Sequence, residues 1–257
     1  MAIDTASQDG GSARRWLRGI GELAALLLLI TAAKTAIAEP FYVPSGSMEP
    51  TLQIGDELIA TKYPYGYGTA SLPFGLTLAG DGRIFGRVPA RGDVVVFRWP
   101  GDPSQTWVKR VVGLPGDRIA MHSGRLWING EPVGLRPDGD GRVERENGTT
   151  GPAARFVETL PGGVSHPILK LAAHAPLDEM PEVTVPVGDL FVMGDNRDDS
   201  ADSRLSVASG GVGFLPVGDL VGKAEAVVAS WDLGRRSQPV WTWPSGLRLD
   251  RFLSAID

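Results

Sequence analysis

The sequence predicts a mostly β, antiparallel fold behind one apolar N-terminal helix. Three observations carry that expectation. The 34 glycines and 20 prolines in 257 residues make turns frequent and long helices few. From Phe41 onwards, short apolar runs alternate with Gly, Pro and Asp turns. A Gly-Asp step also recurs at Gly55-Asp56, Gly92-Asp93, Gly116-Asp117, Gly188-Asp189 and Gly218-Asp219, each ahead of an apolar run. That step suits a tight turn feeding a strand of an antiparallel meander.

The N-terminal part reads as a membrane anchor. Met1 to Gly11 are small and polar, Arg14, Arg15 and Arg18 follow, and Leu23 to Ala33 form an apolar run bracketed by Glu22 and Lys34. That run is short of the roughly 20 residues that span a bilayer. Residues 16–38 suffice if Glu22 and Lys34 reach the two interfaces, where a lysine amine can snorkel. The arginines place residues 1–15 in the cytoplasm and everything after the anchor outside. A soluble core helix is the first alternative. A cleavable signal peptide ending at Ala36-Ile37-Ala38 is the second, with Lys34 and Pro40 weighing against it.

In the body, strands are expected at 57–61, 93–99, 106–112, 118–121, 125–128, 190–193 and 220–231. Residues 63–91, rich in Gly, Tyr and Pro, read as a long surface loop. Residues 136–187 show little periodicity and read as a second, smaller domain or insertion with loosely defined strands. Asn147-Gly148-Thr149 matches a glycosylation sequon, to which no role is assigned.

Composition removes several chemistries. A net charge of −5 argues against nucleic acid as the main partner. With no cysteine there is no disulfide, thiol nucleophile or thiolate-bound metal. The three histidines, His122, His166 and His174, form no metal-like pair and sit in Gly/Pro-rich surroundings. All three are expected at the surface without a role.

Three segments carry chemistry instead. In Val43 to Leu52, prolines at 44 and 50 stiffen a loop whose Gly46 permits close backbone approach, so that Ser47 can be presented as a nucleophile. The Ser47 amide and Ser45 hydroxyl can then face an oxyanion. In Trp107 to Val112, strand alternation sets Trp107 and Val111 beside Lys109. Apolar surroundings lower a lysine pKa, and a neutral amine can activate a serine. The plain alternative is a solvated edge lysine and an ordinary serine turn. The third segment, Gly194 to Arg204, is dense in acids, arginines and hydroxyls.

These segments resemble bacterial type I signal peptidases, Ser/Lys endopeptidases that remove signal peptides from exported proteins. The serine box stands here as Pro44 to Leu52, followed in order by Arg91 to Phe97, Lys109 to Asp117 and Gly194 to Arg204. Val212 to Pro216 and Leu220 to Ala224 resemble the family's C-terminal strands. The resemblance implies a nucleophile at Ser47, a general base at Lys109, an oxyanion hydroxyl at Ser45 and a lysine-orienting hydroxyl at Ser200. It implies a supporting ion pair of Asp202 with Arg204. It also implies shallow pockets lined by Val43, Met48, Leu52, Trp107 and Val108 for small residues first and third before the cut. Asp199 departs from the family's usual Asn and is expected to point away from Lys109, since an anion there would oppose activation.

The implied fold is an antiparallel β catalytic core of residues 39–118 and 188–257. A smaller β-rich domain of about residues 119–187 is inserted in it, and one transmembrane helix precedes it. The implied protein is single-pass in the bacterial inner membrane with its peptidase domain outside. Its partners are signal peptides of exported preproteins and membrane lipid, and it uses neither metal nor cofactor. Two alternatives stand beside it: a self-cleaving Ser/Lys protease and an inactive relative that binds signal peptides.

Overall fold

In the computed structural model, which describes residues 10–71, 83–145, 148–232 and 240–256, strands dominate. Residues 1–9 of the expected tail, part of the loop at 63–91, and Asn147 of the sequon lie outside the described residues. The chain opens with α1 (Gly10–Ile37), which hands over directly to β1 (Ala38–Tyr42). Trp16, Leu17, Leu23, Leu26 and Leu29 on α1 are exposed. Among the described residues no helix is long and apolar enough to cross a membrane.

The strands expected in the body form within a residue or two, save that the third begins earlier. They are β2 (Asp56–Thr61), β3 (Val94–Trp99), β4 (Asp102–Gly113), β5 (Arg118–His122) and β6 (Arg125–Ile128). After β7 (Glu131–Pro132) come β8 (Gly134–Glu144), β9 (Thr150–Thr159), β10 (Ser165–Lys170) and β11 (Met180–Thr184). The chain closes with β12 (Asp189–Met193), β13 (Leu215–Pro216), β14 (Leu220–Ser230) and β15 (Ser254–Ala255).

The main sheet has the order β1-β2-β14-β3-β4-β12-β13, with β15 also paired to β14. Its named ladders are antiparallel throughout. A second sheet has the order β10-β9-β8 and a third β11-β5-β6-β7. Along β3, Val94 and Val96 enter one core cluster while Val95 and Phe97 enter another. The strand is thus buried on both faces, which is why it reads as an unbroken apolar run rather than an alternation.

The expectation of loose strands in 136–187 is corrected. β8 and β9 make a hairpin of 11 and 10 residues. Most of its residues on both faces are exposed or half-buried, so polar residues occupy both faces and the two-residue period vanishes from the sequence.

Four of the five Gly-Asp steps share one turn. Gly55, Gly92, Gly116 and Gly188 have φ of 92°, 97°, 89° and 89°, a region glycine adopts without strain. The following aspartate N–H bonds to the carbonyl three residues back in all four, at 3.0–3.2 Å. In the first three its carboxylate also accepts the N–H of that same residue: Gln53 to Asp56 at 2.8 Å, Ala90 to Asp93 at 2.9 Å and Leu114 to Asp117 at 2.6 Å. At the fourth, the donor position is Pro186, which has no N–H to give.

Candidate active site

The serine loop is held from two sides. Ser47 lies in a 3₁₀ turn, Gly46–Met48, and Leu52 N–H bonds to Met48 O at 2.9 Å. From the Gly194 to Arg204 segment, Asn196 donates its side-chain amide to Gly46 O and its backbone N–H to Ser47 O, both at 3.2 Å. Both loop carbonyls are therefore engaged from behind, and the serine side chain stays free to face the cavity. A Cβ on Gly46 would stand 3.1 Å from Glu144 O and 3.2 Å from Glu49 Oε1, so this residue lets the loop seat closely against its support.

Lys109 comes from β4 and is 4% exposed. Its Nζ donates to Ser47 Oγ at 2.8 Å and to Val108 O at 3.0 Å. Trp107 flanks it as alternation predicts, with its ring centre 5.5 Å from the amine. Burial lowers the Lys109 pKa to about 8, while the charges of Asp202 and Asp195 act to raise it. Ser45 Oγ stands 3.4 Å from Ser47 Oγ.

Ser200 is buried, and among the described residues its hydroxyl has no hydrogen-bond partner. The expected bond to Lys109 is thus not formed; the amine bonds Ser47 Oγ and Val108 O. Ser200 nevertheless borders the loop: a side chain on Gly194 would overlap both Ser200 Oγ and Ser47 O. Asp202 and Arg204 form an ion pair, with Nε to Oδ1 at 2.9 Å and Nη2 to Oδ2 at 2.8 Å. Asp202 also accepts Gly194 N–H at 3.0 Å, which fixes that glycine beside the serine.

A cavity of about 570 Å³ opens over Ser47, Ser45 and Lys109. Val43, Trp107 and Val108 line it, whereas Met48 and Leu52 do not. Both are fully buried in the core cluster with Leu58 and Val96, where their burial anchors the serine loop. Phe41, Leu58 and Val96 line the wall in their place. Cross-strand pairing brings them there, since Phe41 faces Leu58 and Val96 faces Val108. The strand pattern contained most of these strands, but not the register that pairs them. Asp199 is exposed at the cavity rim, and the acids whose charge acts on Lys109 are Asp202 and Asp195.

The expected surface placement of the histidines holds for His122 and His174, which are exposed, and fails for His166, which is 1% exposed. His166 Nε2 lies 3.3 Å from Glu158 and Nδ1 lies 3.3 Å from Asp195. Glu158 in turn pairs with Arg197 at 2.5–2.7 Å, and Asp195 with Arg110 at 2.8–2.9 Å. Two acids, two arginines and a histidine thus form one buried chain linking β9 and β10 to β4 and the Gly194 to Arg204 segment. Burial would raise the Glu158 pKa, but Arg197 and His166 outweigh it and hold it at about 2. Burial likewise opposes ionisation of Asp195, and Arg110 and His166 drive its pKa far below the carboxylate range. For His166 burial lowers the pKa, yet Asp195 and Glu158 win and raise it.

Lys170 extends the same joint, donating to Asp178 and, at 2.8 Å, to Asp198. Among the described residues no group of three or more histidines and acids is placed to hold a metal ion.

A family model described as Signal peptidase, peptidase S26 matches residues 14–231. Signal peptidase I of Pseudomonas aeruginosa is 38% identical over 211 residues, covering 80% of this chain and 70% of that protein. Signal peptidase I of Rickettsia typhi is 36% identical over 227 residues, covering 80% of each. A solved signal peptidase I from Enterococcus faecalis V583 covers 53% of this chain and 97% of its own, at 23% identity and a TM-score of 0.31.

Proposed function

The chain belongs to the signal peptidase, peptidase S26, family and is a serine endopeptidase; we propose that Ser47 is its nucleophile, Lys109 the general base, and the signal peptides of exported preproteins its substrates. The observation that carries this reading is the 2.8 Å contact between a buried amine and an accessible serine hydroxyl. Ser47 attacks the carbonyl before the scissile bond while neutral Lys109 takes its proton. The resulting ammonium protonates the leaving amine. Water, activated by the same lysine, then hydrolyses the acyl-enzyme.

Ser45 Oγ and the Ser47 amide face the developing oxyanion. Ser200 borders the serine loop, and the Asp202–Arg204 pair holds Gly194 in place. Val43, Trp107 and Val108 shape shallow pockets that admit alanine first and third before the cut and exclude larger groups sterically.

By length the 28-residue α1, about 42 Å at 1.5 Å per residue, exceeds the hydrocarbon core of a bilayer, although no described helix is also apolar enough to cross one. Residues 16–38 serve as the anchor, with Arg15 and Arg18 on the cytoplasmic side. The exposed apolar residues of α1 then meet lipid, and Phe41 and Tyr42 at the cavity mouth sit near the outer membrane face.

Cleavage of a preprotein by the full chain, compared with Ser47→Ala and Lys109→Ala, tests this function. Unchanged cleavage in either variant overturns the dyad. Release of the protein from membranes by alkaline carbonate, without detergent, overturns the anchor.

A further inference from the structure

The cavity wall beside Lys109 is one half of a stack of two indoles. Trp107 lines the cavity, while Trp99 lies behind it and does not. Their rings are parallel within 1°, with centroids 4.9 Å apart. Besides this stack, Trp107 packs against the core cluster of Val95, Phe97 and Val111, and its Nε1 donates to Gln105 Oε1, an exposed neighbour on the same strand, at 3.3 Å.

Trp99 is fixed much more firmly. Its Nε1 donates to Gly211 O at 2.8 Å, and a Cβ on Gly101 would stand 2.5 Å from its ring. Gly211 is itself locked in place. Its N–H bonds to Ser206 O at 2.9 Å, and the next residue, Val212, bonds to Asp202 O at 3.0 Å. A continuous path therefore runs from the Asp202 segment through Gly211 and Trp99 to the ring of Trp107, which borders the base.

We propose that Trp99, outside the cavity, is a positioning residue for substrate selectivity: by stacking on Trp107 it sets the free width of the cavity beside Lys109. The inference rests on the endopeptidase reading above. A parallel indole pair prefers one offset arrangement, so Trp107 cannot swing aside to admit a bulky side chain without breaking the stack. Without Trp99 the Trp107 ring can retreat into the vacated space, and the cavity widens without loss of any group that touches the reacting atoms.

The test uses the full chain and matched peptide substrates that carry Ala or Leu at the first or third residue before the cut. Wild type, Trp99→Leu, Trp99→Met and Trp99→Phe are compared by kcat and KM. The expected result is a rise of about tenfold in the Leu-to-Ala ratio of kcat/KM, at one position or both, in Trp99→Leu and Trp99→Met. That rise comes mainly from a lower KM for the Leu peptide. Trp99→Phe, which keeps a stacked ring, stays within about threefold of wild type. A ratio unchanged in either folded non-aromatic variant overturns the inference, as does an equal loss on all peptides. Failure of the wild type to cleave any of them overturns instead the reading on which the inference rests.

Discussion

Lys109 Nζ stands 2.8 Å from Ser47 Oγ across 62 residues of chain, and Asn196 holds the loop that carries the serine. The lysine is fixed by its strand, whereas the serine belongs to a loop whose two carbonyls Asn196 holds. Precise placement of the pair therefore depends on a third segment that contributes no reacting atom.

The first prediction concerns the pair itself. Ser47→Ala and Lys109→Ala are each expected to lower kcat on a preprotein by about 10⁴-fold or more, because residues that act as one unit fail together. Lys109→Arg should not rescue, since a guanidinium stays charged. Single-turnover cleavage followed on a gel reads both.

The pH profile follows from burial. Only neutral Lys109 can accept the serine proton, and its pKa lies at about 8. The ratio kcat/KM should therefore rise with pH through an apparent pKa near that value. A profile with no ionisation between ~pH 7 and 9 contradicts the assignment of the base.

Gly194 admits no side chain. Gly194→Ala would drive a methyl group into Ser200 Oγ and Ser47 O. The expected cost is about 1–3 kcal/mol of stability, typical of overpacking. The serine is displaced as well, so the loss of kcat should exceed what that destabilisation explains. Thermal unfolding and turnover of the same preparation separate the two effects.

Glu49 is buried two residues from Ser47, accepts Glu144 N–H at 3.0 Å, and has one carboxyl oxygen with no partner among the described residues. Burial raises its pKa to about 7, with the charge of Glu144 adding to the rise. A raised carboxyl pKa means that the folded state prefers the protonated form. Stability is thus lost as pH rises from the unfolded value, ~4.5, towards the folded one. Glu49→Gln should stabilise the protein at pH 8 by at most about 3 kcal/mol and do nothing at pH 4. Urea titration at the two pH values checks the sign.

The buried charge chain yields the last prediction. Arg197→Met strands Glu158 beside His166 and should cost about 3–5 kcal/mol, whereas Arg197→Met with Glu158→Leu should recover part of it. His166 adds a pH term. Its folded pKa is raised, so its contribution is complete below the unfolded pKa and fades as pH rises through the folded one. His166→Gln should flatten that slope in a stability-versus-pH series.

Much of this architecture was legible because it rests on local patterns. Strand ends at Gly92, Gly116 and Gly188 follow from a turn that glycine and aspartate make by themselves. The apolar residue beside Lys109 follows from alternation along one strand. Long-range register was not legible. Met48 and Leu52 are apolar and near the serine, yet only the packing of β2 and β3 tells that they point into the core rather than the cavity. His166 was missed for a related reason. The acids that pair with the buried His166, Glu158 and Asp195, come from elements with no sequence relation to each other. Asp195 and Arg197 stood in a segment already singled out for its density of charge, and that excess of acids and arginines was the available signal.

The position of β14 between β2 and β3 also ties the assembly of the proposed site to the end of the chain. The strand that flanks the serine loop and the hairpin that carries Lys109 share no neighbour until residues 220–230 slot between them. During synthesis, a ribosome-bound chain already displays Ser47 and Lys109 but lacks the wedge that aligns them. Under the proposed mechanism, alignment of the pair therefore waits for nearly the last strand of the chain.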